Sequence, residues 1–242
     1  MRLDLFLSSN GYVETRTKAQ ELIKSGSVTV NGKTVTKASF DVTDVDGVEC
    51  RTDLVCPYVS RGGLKLQAAL DEFNIDVKNA VCLDIGASSG GFTDCLLKRG
   101  AKKVYAVDSG SGQLHPSLRR DERVISLENV NARYMSGKEI PEEIDIAVMD
   151  VSFISQTKLY QSIIPLLKEK AVLITLIKPQ FEVGRSGVGK GGLVRDIKKR
   201  KEAVDSVIDF ASCVGLETLG VIESPIKGGD GNTEYLAHLR LR

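Results

Sequence analysis

The chain has 242 residues, 42% of them apolar and 27% charged, with a formal net charge of +1. That length suits a medium domain with a small one in front of it, and the composition is that of a folded globular protein. A near-neutral balance excludes a strong field over the whole molecule, so a nucleic-acid partner would have to be held by a local basic patch. The five cysteines, Cys50, Cys56, Cys82, Cys95 and Cys213, are scattered without a Cys-x-x-Cys pair. With only His115 and His238 to supplement them, no metal site and no disulfide framework are expected. The start, MRLDLFLSSNGYVETR, has a short apolar stretch interrupted by Asp4 and no small-residue cleavage pattern, which reads as a cytoplasmic protein. No run approaches the roughly 20 apolar residues needed to cross a bilayer, so no membrane partner is expected.

Leu3, Leu5, Phe6 and Leu7 begin an apolar helical face that ends near Asn10-Gly11. Thr17-Lys18-Ala19-Gln20 offers a capping box for a second helix running to Ser25-Gly26. Val28-Thr29-Val30, Asn31-Gly32 and Lys33-Thr34-Val35 then predict a strand, a type I′ turn and a second strand. Basic residues lead in this segment (Arg2, Arg16, Lys18, Lys24, Lys33, Lys37), whereas Asp41, Asp44, Asp46, Glu49 and Asp53 follow together. Sorted charge of this kind gives either a basic face that neutralises phosphates or a solvated mixed surface. The order helix, helix, hairpin in RLDLFLSSNGYVETRTKAQELIKSGSVTVNGKTV resembles the αL RNA-binding domain of a small-subunit ribosomal protein and of pseudouridine synthases. The resemblance implies that Arg16, Lys18 and Lys24 lie on structured RNA.

Pro57-Tyr58-Val59-Ser60-Arg61-Gly62-Gly63 breaks the periodicity and reads as a linker over 57–63, separating a domain at 1–56 from one at 64–242. Beyond it a helix begins at Leu64. Apolar runs at 80–85, 103–107, 123–127, 144–149 and 171–177 predict strands, and helices are predicted near 91–99, 155–167 and 195–213. That alternation predicts an α/β fold, a Rossmann-like doubly wound parallel sheet. Strands near 216–222 and 234–241 lack a helix-length spacer and would pair antiparallel at an edge.

The first of these strands runs into Asp84-Ile85-Gly86-Ala87-Ser88-Ser89-Gly90-Gly91-Phe92-Thr93, a glycine-rich turn at the carboxyl edge of the sheet, where such folds bind ligands. Glycines at 86, 90 and 91 let a ligand approach the backbone. Asp108, at the end of the next strand, can accept hydrogen bonds from both ribose hydroxyls of a nucleoside. A dinucleotide fingerprint would need a glycine where Ser88 stands. An acid just before the first glycine also suits a methionine ammonium better than a pyrophosphate, so S-adenosylmethionine is the expected cofactor. Gly184-Arg185-Ser186-Gly187-Val188-Gly189-Lys190-Gly191 approaches a P-loop but lacks the final Ser or Thr and starts away from its strand. It reads as a partly basic loop over the active site.

Ser60-Arg61-Gly62-Gly63-Leu64-Lys65-Leu66, Asp84 to Thr93, Met149-Asp150-Val151-Ser152-Phe153, Leu176-Ile177-Lys178-Pro179-Gln180-Phe181-Glu182 and Gly231-Asn232-Thr233-Glu234-Tyr235 occur in that order. Together they resemble the TlyA (haemolysin A) family, whose catalytic half is similar to the FtsJ-type 2′-O-methyltransferases. The resemblance implies transfer of a methyl group from S-adenosylmethionine to a ribose 2′-hydroxyl of ribosomal RNA, at a cytidine in one or both subunits. It also implies a tetrad of Lys65, Asp150, Lys178 and Glu234. Asp150 and Lys178 close two strands on the rim where the cofactor turn lies, so both would face one crevice. A ribose hydroxyl is a poor nucleophile and needs proton removal or strong hydrogen bonding while it attacks in line. Lys178 is the candidate for that role, oriented by Lys65 and Asp150, with Glu234 fixing the network from the other side. Asn131 is placed near the adenine, Arg61 on RNA, and Phe153 either stacks on a base or packs. The haemolysin name raises a membrane-active protein, and a catalytically dead RNA-binding assembly factor is a third reading. The tetrad argues against the last.

Overall fold

The computed structural model describes residues 1–13, 15–43, 46–50, 56–184 and 187–242. Arg185 and Ser186 of the second glycine-rich stretch, and Asp44 and Asp53 of the acidic stretch, lie outside them. Contacts within the chain divide it into two units, Met1–Pro57 and Tyr58–Arg242.

In the first unit α1 (Leu3–Ser9) and α2 (Arg16–Lys24) pack on a three-stranded sheet of β1 (Val28–Val30), β2 (Lys33–Thr34) and β3 (Val48–Cys50), in the order β2-β1-β3. Asn31 and Gly32 both take positive φ, 51° and 73°, as the type I′ turn requires. The cap of α2 is Thr15, whose side chain accepts the amide of Lys18, rather than Thr17 as its sequence suggests. Thr17 lies inside the helix. β3 went unpredicted because a three-residue strand amid acids carries no periodic signal.

Asp4 is fully buried and accepts from Arg2 (3.0 Å), Arg16 (2.9 Å) and Gln20 (2.8 Å). Hydrogen bonds from Arg2 above all, then from Gln20 and Arg16, hold its carboxyl far below the usual range despite burial. Because the folded group is the stronger acid, its contribution is complete above the ordinary carboxylate range near 4 and is lost as pH falls below it. Asp4→Asn is expected to cost the first unit about 1–3 kcal/mol. It should also flatten the acid side of that unit's stability profile, as urea unfolding at pH 3–7 would show.

The second unit holds a seven-stranded sheet in the order β6-β5-β4-β7-β8-β10-β9. Its strands are β4 (Val81–Ile85), β5 (Lys103–Val107), β6 (Val124–Leu127), β7 (Ile144–Met149), β8 (Leu167–Ile177), β9 (Leu216–Glu223) and β10 (Tyr235–Leu241). The first five are parallel, and β10 enters antiparallel between β8 and β9. Strand alternation divides β4 between two layers. Leu83 and Ile85 join a core with Tyr160, Ile163, Val207 and Ala211, while Asp84 faces Thr93 on the other side. The helices of this unit are α3 (Gly62–Glu72), α4 (Gly91–Lys98), α5 (Pro116–Arg119), α6 (Tyr160–Ile163), α7 (Pro179–Glu182) and α8 (Ile197–Cys213). Gly62 and Gly63 therefore belong to α3 and not to a linker. The helix expected over 155–167 is broken into short 3₁₀ and α pieces, with Pro165 in the last of them, and the next strand already starts at Leu167.

Candidate active site

Strand order reverses between β4 and β7, which opens the sheet at its carboxyl rim. Pairing of Ile85 with Met149 sets Gly86 beside Asp150, and the amide of Asp150 donates to the carbonyl of Ile85 at 2.9 Å. Gly86 has φ +82°, and a β-carbon there would strike the Asp150 carbonyl, so only glycine lets the turn leave the strand here. Antiparallel pairing of Tyr235 with Ile177 brings Glu234 to the same rim as Lys178. α3 supplies Lys65, and it packs closely on α4 because Gly91 has no side chain to meet Ser60 and Gly63. The segment before α3 is fixed by the amide of Val59, which donates to Asp94 at 2.8 Å.

Residues far apart in the chain thus enclose a pocket of about 310 Å³, within the range of small-molecule sites. Lys65, Asp150 and Lys178 line it together with the Gly86–Phe92 turn. They form two ion pairs. Lys65 meets Glu234 at 2.5 Å with both side chains buried, and Lys178 meets Asp150 at 2.5 Å. Lys178 also donates to the Ser152 hydroxyl at 2.8 Å. Glu234 therefore partners Lys65 and stands behind the pocket wall, and Lys65 is not the group that orients Lys178. Ser152 was missed in the sequence. Its signal was its position two residues beyond Asp150 on the same rim.

The cofactor residues fall into two sets. Gly86, Ser88, Gly91 and Phe92 line the pocket, with Gly90 between them at φ +93°. Ser88 takes a positive φ of 48°, held by its amide donating to Asp108 (2.8 Å) and its hydroxyl donating to Gln113 (3.2 Å). Asp108 also accepts the Gly110 amide at 2.7 Å, so its carboxylate closes the turn from beneath. Asp84 does not reach the pocket surface. It is fully buried, one oxygen accepting from the Thr93 hydroxyl at 2.6 Å and the other without a partner among the described residues. Burial first, then the nearby Asp150 charge, pushes its carboxyl up to about 7 against the hydrogen bond from Thr93. Asn131 is exposed, its side chain accepting the Arg133 amide in a 3₁₀ turn, and it is not a wall of the pocket. Phe153 does not pack into the core: it is 92% exposed at φ +65°, its ring 5.3 Å from that of Phe181.

Of the residues expected on RNA, Arg61 lines the pocket mouth. Arg16 is about half exposed while tied to Asp4. Lys24 is exposed at the carboxyl end of α2, and Lys18 is half-buried on the same helix.

A doubly wound sheet with a glycine turn, two acids below it and a lysine–carboxylate rim defines a Rossmann-like methyltransferase. Residues 58–241 match the FtsJ-like methyltransferase model and residues 1–48 the S4 domain model. Hemolysin A of Brachyspira hyodysenteriae is 48% identical over 98% of this chain and 99% of its own. The 16S/23S rRNA (cytidine-2′-O)-methyltransferase TlyA of Mycobacterium tuberculosis is 42% identical over 99% of this chain and 89% of its own. A solved structure bearing the hemolysin name from Streptococcus thermophilus superposes with a TM-score of 0.78 at 39% identity, covering 100% of this chain and 88% of that one. The chain belongs to the TlyA (haemolysin A) family of FtsJ-like methyltransferases.

S-adenosylmethionine is its cofactor. The residues present fit that group. A buried acid, Asp84, lies under the turn with one unsatisfied oxygen, and Gly86, Ser88, Gly91 and Phe92 line a pocket of small-molecule size beside it. No helix among the described residues is long and apolar enough to cross a membrane.

Proposed function

We propose that this chain methylates a ribose 2′-hydroxyl of ribosomal RNA, at a cytidine, with the reaction taking place in the cytoplasm where ribosomes are. The observation that carries this reading is Lys178, fixed at the pocket rim by Asp150 and Ser152 beside the glycine turn. When bound, the cofactor supplies a methyl group on a positively charged sulfur. The turn from Gly86 to Phe92, with Asp84 and Asp108 below it, holds that donor. Lys178 receives the incoming hydroxyl; its ammonium first gives up a proton to solvent, and the neutral amine then takes the hydroxyl proton as the oxygen becomes the nucleophile. Asp150 and Ser152 hold the Lys178 ammonium nitrogen in place, so the rate gain comes chiefly from alignment. The buried Lys65–Glu234 pair fixes the position of α3 against the head of β10 and so shapes the opposite wall. Phe153, exposed beside this rim, offers a face on which the target base stacks. Residues 1–56 form the RNA-holding domain, with Arg16, Lys18 and Lys24 on phosphates. A membrane-active role has no counterpart in this site, and a catalytically dead binding factor would have no use for two carboxylate-anchored lysines beside a cofactor turn.

The test uses ribosomal subunits, and RNA stripped from them, from cells lacking the enzyme. With methyl-labelled cofactor, label is expected in RNA as an alkali-resistant dinucleotide, because a methylated 2′-oxygen cannot attack its phosphate. Label in a base, or no label in either substrate, would overturn the proposal.

A further inference from the structure

The pocket mouth carries more positive charge than its reacting groups use. Four cationic side chains line it: Arg61, Lys65, Lys178 and Lys227. Glu234 neutralises Lys65, and Asp150 neutralises Lys178. Arg61 and Lys227 are left, both exposed, and neither has an ion pair or hydrogen bond from its side chain among the described residues. Elsewhere in this nearly neutral chain cations are commonly matched, as in Arg99–Asp71, Arg119–Glu128 and Lys168–Asp145.

Lys227 is not on a loose tip. On one side of it Ser224 donates through its hydroxyl to the Ile226 carbonyl (2.7 Å) and through its amide to the Glu234 carbonyl (2.8 Å). On the other, Gly228 donates to the Asn232 carbonyl at 2.9 Å and accepts from the Gly231 amide at 2.9 Å. A β-carbon on Gly228 would strike the Glu234 carboxylate, so the loop is seated on the Lys65–Glu234 pair. Asn232, itself buried, pins this turn to Val194 and Gly192 through bonds of 2.9 Å each. The backbone of Lys227 is therefore positioned as firmly as the wall beside it.

We propose that Lys227, acting with Arg61, is a phosphate clamp for the RNA strand entering the pocket. This rests on the reading of the pocket as a ribose-methylating site. A strand that brings a 2′-hydroxyl to Lys178 also brings one phosphodiester on each side of that ribose, and two unmatched cations answer two phosphates. Arg61 offers a planar fork for two phosphate oxygens, and Lys227 a point charge at the end of a flexible stem. The cofactor is a poorer match for the pair. It carries a sulfonium and an ammonium against a single carboxylate, so two spare cations would on balance repel it.

The test compares full-length wild type, Lys227→Ala and Lys227→Arg. Their affinity for S-adenosylhomocysteine is read by calorimetry, and methylation of stripped rRNA is followed across KCl concentrations. Lys227→Ala is expected to raise KM for RNA several-fold with kcat within about twofold. Its kcat/KM should depend on salt less steeply, the logarithmic slope falling by about 0.7–0.9, so that its deficit shrinks roughly threefold between about 50 and 200 mM salt. Affinity for S-adenosylhomocysteine should stay unchanged, and Lys227→Arg should restore both KM and slope. An unaltered KM and slope would overturn the clamp. So would a loss of S-adenosylhomocysteine affinity, which would assign Lys227 to the cofactor's carboxylate. A wild type that transfers no methyl would instead sink the methylation reading itself, while an active wild type beside an unaffected Lys227→Ala would sink the clamp alone.

Discussion

Replacing Lys178 by alanine should lower the rate of methyl transfer by about 10²–10⁴-fold, the usual contribution of a positioned proton acceptor. S-adenosylhomocysteine affinity should stay within about twofold of wild type, because Lys178 answers to the hydroxyl and not to the donor. The structural reason for a clean separation is the way Lys178 is held. Its ammonium meets Asp150 and Ser152, both just beyond the end of β7, and not the glycine turn proposed to hold the cofactor. Lys178→Arg should not rescue the rate, since a guanidinium stays protonated and cannot take a proton. Single-turnover assays with labelled cofactor, paired with calorimetry, separate the two quantities. Comparable loss in both would mean that Lys178 belongs to the cofactor site.

Glu234→Ala should destabilise the second unit by about 3–5 kcal/mol, the usual cost of leaving half of a buried ion pair without its partner. The side chains of Lys65 and Glu234 are only 10% and 3% exposed, so water cannot replace the lost carboxylate. Joint replacement, Lys65→Met with Glu234→Leu, should recover most of that stability, because two apolar groups need no counter-charge. Methyl transfer should stay impaired, since the pocket loses a polar wall. Urea unfolding beside the methylation assay distinguishes the outcomes. If the double variant is as unstable as the single one, an unpaired buried charge is not the source of the loss. If it is fully active, the pair has no part in the site.

Much of the second unit could be read in the letters because its central strands are buried on both faces and so appear as continuous apolar runs. Val81–Ile85 and Ile144–Met149 are of this kind. What failed was local and short. β8 begins four residues before the apolar run at 171–177, in Leu167-Lys168-Glu169-Lys170, where polar side chains hide the strand. The helix expected just before it gives way to a 3₁₀ turn at Pro165, whose ring cannot continue the interior of an α-helix.

The site was legible to the extent that strand ends in a doubly wound sheet share one rim, which places Asp150 and Lys178 together without coordinates. Partnerships were not legible. Lys65 and Glu234 are 169 positions apart, and nothing local says that Glu234 chooses Lys65 over Lys178. Nor does the sequence say that Asp84 would be sealed beneath its turn, or that Asp4, in the first turn of a short helix, would be a buried hub for two arginines. Burial of a charged group depends on what packs over it, and that is decided by distant segments. Phe153 shows the reverse case, an aromatic residue at a strand end that tertiary structure leaves in solvent.

A crystal structure of the full chain with S-adenosylhomocysteine tests the central claim most directly. Its amino-acid end should lie on the Gly86–Gly91 turn, its sugar hydroxyls near Asp108, and its sulfur should face the space before Lys178 and Asp150. A ligand seated instead in the cavity at the opposite end of the sheet, around Phe73, Asn79 and His238, would contradict the account.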